Sequence, residues 1–234
     1  MAKGNKKQEY TTEKVLDSLN ETAYKAENFF EKNSKIIIGI FGALAVAAIG
    51  YFAYLNYVLE PKSEKAFAEM VQADQYFQQD SVLLALKGSP GSFMGYEQII
   101  ENYSGTDGAN IARYKAGVAY YKLGDFASAV SNLEKFNSDD DVLVAQKNGM
   151  IGNALVNSKK DKEALPYYVK AAEGTQLEVL QTLYYTKAGQ LSMQLGNNAD
   201  ALKYFQVLAD KYPGANNGEV DKYIERLKYA TGGN

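Results

Sequence analysis

The sequence predicts an all-α protein with a single apolar transmembrane helix near its N-terminus and a solenoid of helical hairpins behind it. Three observations carry this. Residues 36–59 contain no charged side chain. A pattern of small, aromatic and turn residues recurs at a spacing close to ~34 in the rest of the chain. The composition, 46% hydrophobic and 23% charged over 234 residues, is that of an ordinary folded chain.

Composition also sets limits on chemistry. With no His and no Cys, the chain offers neither imidazole nor thiolate to a metal, runs no Ser-His or Cys-His couple and forms no disulfide. A net charge of −3 spread through the chain gives no basic surface, so nucleic acid is not an expected partner. Phosphate-cradling glycine motifs are lacking, and no Ser-x-x-Lys pair stands in a suitable context. Catalytic residues, metal ligands and cofactors are therefore not assigned. A hydrolase is the most distant of the readings considered.

Residues 1–35 form an expected cytoplasmic segment. Leu16, Leu19, Ala23, Ala26 and Phe30 recur in steps of three and four, so residues 12–34 read as an amphipathic helix with Thr12 available as its cap. Two heptads are too few to argue a coiled coil, and a helix lying on a membrane surface fits equally well.

At about 1.5 Å per residue, residues 36–59 exceed the roughly 30 Å hydrocarbon layer of a bilayer. Lys35 and Glu60-Pro61-Lys62 bound the run, and Tyr51, Tyr54 and Tyr57 sit where amphipathic rings favour the interface. The preceding segment is too long and too mixed in charge for a cleaved leader. Lys25, Lys32 and Lys35 outnumber Lys62 and Lys65, which places the N-terminus narrowly on the cytoplasmic side. Gly39, Ala43 and Ala47 make a stripe of small residues for packing against another membrane helix.

Residues 60–234 are expected to form the solenoid. Its repeats fall at 110–141, 145–176 and 182–213, after a degenerate first repeat at 62–104 and before a capping helix at 218–230. Ala116-Gly117, Tyr120, Gly124, Phe126, Ala129, Leu133 and Phe136 follow tetratricopeptide spacing, without the early Trp. Ile151-Gly152, Leu155, Asp161, Ala164, Tyr168 and Ala171 form the second copy. Ala188-Gly189, Ser192, Gly196, Ala201, Phe205, Leu208 and Pro213 form the third. Gly117 and Gly152 make room on one helix for a bulky residue of the next, and Ala129, Ala164 and Ala201 do so on the second helix. Stacking of copies supplies the core.

The degenerate copy has a first helix at 62–79 and a second around Gly95 to Tyr103. Between them Lys87-Gly88-Ser89-Pro90-Gly91 signals a loop. Asp139-Asp140-Asp141 lacks the ligand spacing of a calcium loop and reads as a helix cap before Val142. Glu97 with Glu101, and Asp161 with Glu163, read as solvated faces.

In this order of parts the chain resembles the single-pass, membrane-anchored tetratricopeptide proteins related to the YfgM-type ancillary subunit of the Sec translocon, particularly the form found in Bacteroidota. The resemblance rests on Glu31-Lys32-Asn33, Pro61, the stretch from Ala73 to Gly88, Tyr114-Lys115-Ala116-Gly117, Leu123-Gly124-Asp125 and Leu133-Glu134-Lys135-Phe136. It implies an inner-membrane protein with its C-terminal domain in the periplasm, working beside the translocon or with periplasmic chaperones on exported proteins.

In tetratricopeptide arrays the first helices line a concave groove. Carried onto this chain, those positions are Tyr114, Val118, Tyr121 and Lys122 in the first copy, Asn153, Val156 and Asn157 in the second, and Gln190 and Met193 in the third. Such a groove reads as aromatic and amide-rich with little charge, suited to an extended peptide and not to an anionic C-terminus. Tyr114 and Tyr121 read equally as packing residues. The alternative to a client-binding module is a structural adaptor of a fixed envelope complex, held through the membrane stripe.

Overall fold

The computed structural model describes residues 5–214 and 218–230, with side chains described from Leu19 onward apart from those of Asn20 and Ala26. The chain divides into two compact units, Met1–Val58 and Leu59–Asn234.

The described part of the first unit is the helix α1 (Asn5–Tyr54) with the start of the π-turn that follows it. Because it begins at Asn5, residue 12 is interior, and Thr12 is not the N-cap that the apolar periodicity suggested. The side chains of Leu16 and Ala26, part of that periodicity, lie outside the described residues. Glu21 and Lys25 pair at 2.6 Å one turn apart, both largely exposed. Around the apolar run, Ile36, Ile40, Phe41 and Leu44 are all exposed in the isolated chain, and a Cβ built on Gly39 meets nothing. Among the described residues this is the one helix long and apolar enough to cross a membrane. It is a candidate span. A π-turn (Leu55–Leu59) follows, where Asn56 Nδ2 donates to Phe52 O at 3.0 Å. It stands just ahead of Pro61, which has no N–H to donate back into that turn.

The second unit consists of α2 (Glu60–Gln78), α3 (Val82–Lys87), a two-strand ladder of β1 (Gly88–Ser89) with β2 (Phe93–Met94), α4 (Tyr96–Asn102), then α5 (Asp107–Lys122), α6 (Phe126–Lys135), α7 (Asp141–Asn157), α8 (Asp161–Glu173), α9 (Glu178–Gln194), α10 (Asn198–Lys211) and α11 (Glu219–Ala230). The pairs α5/α6, α7/α8 and α9/α10 are antiparallel hairpins stacked in sequence. Each is closed by a glycine on the first helix. A Cβ on Gly117 would stand 2.6 Å from Leu133, one on Gly152 2.6 Å from Tyr168, and one on Gly189 2.6 Å from Phe205. Ala129, Ala164 and Ala201 on the second helices are fully buried.

The turns share one geometry. Gly124 and Gly196 take φ of +80° and +79°, and Asp80 and Lys159 hold the same left-handed place at +59° and +62°. At each of the four the next amide reaches back to a carbonyl five residues earlier: Ser81 N to Tyr76 O at 2.9 Å, Asp125 N to Tyr120 O at 3.0 Å, Lys160 N to Leu155 O at 2.9 Å and Asn197 N to Ser192 O at 2.8 Å. This is the Schellman closure of a helix C-terminus. It marks α2 as the first helix of a fourth hairpin whose second half has diverged.

That divergent half departs from the expected loop. Val82–Lys87 is helical, and Gly88 and Gly95 meet so closely that a Cβ on either would fall within 2.4 Å of the other's backbone nitrogen. Two glycines thus close the small ladder, a β element within an otherwise helical unit. Two cores result. One holds Met70, Leu86, Tyr96 and Ile99 among α2 to α5. The other runs from Leu133 through Tyr168 and Phe205 to Leu227. Asp140 caps α7, accepting from Val142 N at 2.9 Å and Leu143 N at 3.0 Å.

Candidate functional site

The first helices of the hairpins, α2, α5, α7 and α9, lie side by side, and their facing side chains tie each helix to the next. Aligned on the small residue of each seam (Ala73, Gly117, Gly152, Gly189), the following position holds Asp74, Val118, Asn153 and Gln190. Two residues before the small residue stand Val71, Lys115, Met150 and Lys187. These positions pair across neighbouring helices in a repeated way. Asp74 accepts from Tyr96 Oη at 2.7 Å and from the Lys115 ammonium. Asn153 Oδ1 accepts from Tyr168 Oη at 2.9 Å and from Lys187 Nζ at 2.7 Å. The same node, a tyrosine and a lysine on one acceptor, therefore occurs twice, once on a carboxylate and once on an amide.

The remaining expected groove residues also serve as ties. Asn157 Nδ2 donates to Tyr121 Oη at 3.0 Å, and the Tyr121 ring lies against Phe126 with centroids 5.6 Å apart. Gln190 Nε2 donates to Tyr223 Oη at 3.1 Å, reaching the capping helix. Lys122 Nζ stands 3.2 Å from Asp80 and 4.9 Å from the centre of the Phe77 ring. Tyr114 packs on Phe136 at 5.1 Å, with its hydroxyl a long 3.4 Å from Gln146 Oε1. Val156 and Met193 are half-buried against the second core.

Tyr114 and Val118 share a cavity of about 260 Å³ with Asp74, Phe77, Gln78, Tyr96 and Lys115. Lys122 lies on a different, wider depression of about 800 Å³ formed with Asp80, Leu83, Leu84, Lys87 and Leu123. The nine expected positions therefore do not converge on one pocket. They run along the seam between first helices.

Two sequence expectations are corrected here. The groove is not nearly free of charge, since Asp74, Lys115 and Lys187 all stand in it. Glu97 is not a solvated face: it receives the Lys87 ammonium at 2.7 Å and the Tyr120 hydroxyl, tying α4 to α3 and α5. Asp161 also accepts from Gln194 Nε2 at 3.0 Å, in an exposed contact, and Glu163 is exposed. Burial, then Asp74, pushes the Tyr96 hydroxyl well above the usual tyrosine range. Burial, then Glu97, raises Tyr120 to about 12. Tyr168 is pushed up to about 12, chiefly by burial. Desolvation lowers Lys187. Asp74, Phe77, Tyr96, Lys115 and Lys187 were not assigned to the groove from the sequence. The two lysines were legible, since each precedes a seam glycine by two residues.

The tetratricopeptide repeat family model matches residues 112–140 and 185–215, which are the α5/α6 and α9/α10 hairpins. The chain carries tetratricopeptide repeats. The crystal structure of MamA is similar, with a TM-score of 0.53 at 16% identity, covering 69% of this chain and 85% of that one. At that identity the likeness is one of fold. No curated protein matches the chain. The intervening α7/α8 hairpin keeps the same seam, a first-helix glycine filled by a bulky side chain of the second helix, so the array is continuous. A tetratricopeptide array is a protein-interaction scaffold, and this one presents its polar and aromatic residues along the first helices.

Proposed function

We propose that the protein is a membrane-tethered protein–protein interaction module whose repeat unit holds extended segments of exported proteins at the periplasmic face of the inner membrane. The observation that carries this is the cavity walled by Phe77, Tyr96, Tyr114 and Val118, in a repeat scaffold that follows a helix long enough to span a bilayer. The resemblance to the YfgM-type proteins supplies the compartment and the translocon or chaperone setting. A repeat unit carried on a membrane span has its search reduced to one surface, which raises its effective concentration for chains emerging there.

The test is site-specific photocrosslinking in intact cells from positions 157 and 193, combined with thiol labelling of a cysteine placed at Lys159. Crosslinks to translocon subunits, chaperones or exported chains, with labelling by an impermeant reagent, are expected. Protection of the cysteine until lysis, or crosslinks to one fixed envelope complex alone, overturns the client-handling reading. The second of these results leaves the structural adaptor.

A further inference from the structure

The two nodes of the groove differ in charge. At the first, Asp74 and Lys115 neutralise one another, and both carboxylate oxygens are occupied, one by Tyr96 and one by Lys115. The cavity in front of this node is mostly apolar and measures about 260 Å³. That is just below the ~300–1,000 Å³ of sites for whole small molecules and is suited to one large side chain. A cationic anchor would meet Lys115 and an anionic one Asp74, so the anchor it accepts is uncharged.

At the second node Lys187 meets no carboxylate among the described residues. Its ammonium rests on the neutral Asn153 Oδ1 and above the Tyr168 ring at 5.5 Å. It is half-buried, and its desolvation is not repaid by an opposite charge. A carboxylate delivered here would complete a pair that the first node already holds internally.

The nodes are two helix spacings apart, from the α2/α5 seam to the α7/α9 seam. At about 8–10 Å per spacing this is roughly 16–20 Å, which about five or six residues of extended chain cover at ~3.3 Å each. Beyond Lys187 the facing residues continue through Gln190 to Tyr223 on α11, so the ligand chain need not end there.

We infer that the groove recognises an extended peptide by two features: a large uncharged side chain seated between Phe77, Tyr96, Tyr114 and Val118, and a carboxylate side chain about five residues away that pairs with Lys187. This deepens the interaction role proposed above and rests on it.

The test uses the full chain in detergent micelles. The probes are fluorescein-labelled, N-acetylated, C-amidated Gly-Ser peptides with Phe and Glu five positions apart, in both orders, followed by fluorescence anisotropy. One order is expected to bind at least tenfold more tightly than its Phe→Ser counterpart and about threefold to tenfold more tightly than its Glu→Gln counterpart. Lys187→Met should abolish the Glu/Gln distinction and keep the Phe dependence. Val118→Phe, which fills the cavity, should do the reverse. Lys115→Met keeps the cavity open but frees Asp74 beside three aromatic faces, so the preferred anchor should change from Phe to Lys.

Equal binding of the Phe and Ser peptides overturns the anchor. Glu/Gln discrimination that survives Lys187→Met overturns the carboxylate site. If no probe binds while crosslinks to exported chains form in cells, the two-point recognition fails and the interaction role stands. If crosslinks fail as well, both fall.

Discussion

In the three regular hairpins a glycine on the first helix receives a Leu, Tyr or Phe from the second, and this steric fit closes the helices, with one added polar tie from Tyr168 to Asn153 in the middle hairpin. In the divergent hairpin, Ala73 stands where the others have glycine, and a different chemistry completes the joint. Tyr96 and Lys115 converge on Asp74, while Lys87 and Tyr120 converge on Glu97. Both solutions keep the same left-handed turn after the first helix. The difference teaches where a ligand site can arise. A bulky side chain fills the glycine notch of each regular seam, whereas the polar ties of the divergent hairpin stand beside the 260 Å³ cavity lined from α2, α4 and α5.

The largest expected effect lies in the steric seams. Phe205 is fully buried, in the notch of Gly189 and stacked on Tyr223 at 4.6 Å. Phe205→Ala should therefore lower the unfolding free energy by about 3–5 kcal/mol, read by chemical denaturation in detergent. A loss near 1 kcal/mol would mean that the seam collapses readily and is not shape-determined.

Adding atoms should hurt at the same seams. Gly152→Ala places a methyl against the buried Tyr168 ring, and overpacking of about 1–3 kcal/mol outweighs the roughly 1 kcal/mol gained in helix propensity. A rise in midpoint temperature for this variant would contradict the close-packing account.

The polar joints sharpen the comparison. Tyr96→Phe removes a bond to a carboxylate and Tyr168→Phe the matching bond to an amide. The first should cost about 1–2 kcal/mol and the second about 1 kcal/mol or less. Equal losses would mean that charge adds nothing at the first node. Both hydroxyls also have raised pKa values, Tyr168 to about 12. A group whose folded value lies above its unfolded one, here 10.0, stabilises fully below pH 10 and loses that contribution as pH rises through the folded value. Stability should thus fall from about pH 10 upward. In the double Phe variant the fall should be shallower, and an unchanged alkaline limb would assign it to other groups. Lys187 acts in the opposite sense, since its lowered value makes the charged form the costly one.

The smallest expected change is at a turn. The Asp125 carboxylate caps α6 through Ser128 N at 3.1 Å, and hydrogen bonds from Ser128 hold its pKa below the usual 3.8. Its contribution is present above that value and fades as pH falls through the folded one. Asp125→Ala should cost about 1 kcal/mol at neutral pH and nothing further at pH 2. A variant equally destabilised at both would mean that the charge is irrelevant to the cap.

Much of the fold was legible because its signals are local. A run without charges, glycines paired with bulky residues one helix away, and turn glycines at Gly124 and Gly196 each report a single physical demand on neighbouring residues. Glycine marked two of the four turns. Asp80 and Lys159 adopt the same backbone without it, so those turns carried no such sign. The groove was less legible. Tyr114 and Val118 were found because they repeat along first helices, but Asp74 and Tyr96 meet from different helices of the hairpin whose sequence pattern is broken.

By itself, the sequence determined that this chain is helical, carries an apolar run of bilayer length and continues after it as stacked hairpins, because periodicity and side-chain size act over one or two turns. Only the tertiary structure decided which polar groups neutralise each other. Lys115 and Lys187 occupy the same repeat position, yet one finds a carboxylate and the other an amide, since electrostatic pairing depends on what the neighbouring helix brings within about 3 Å.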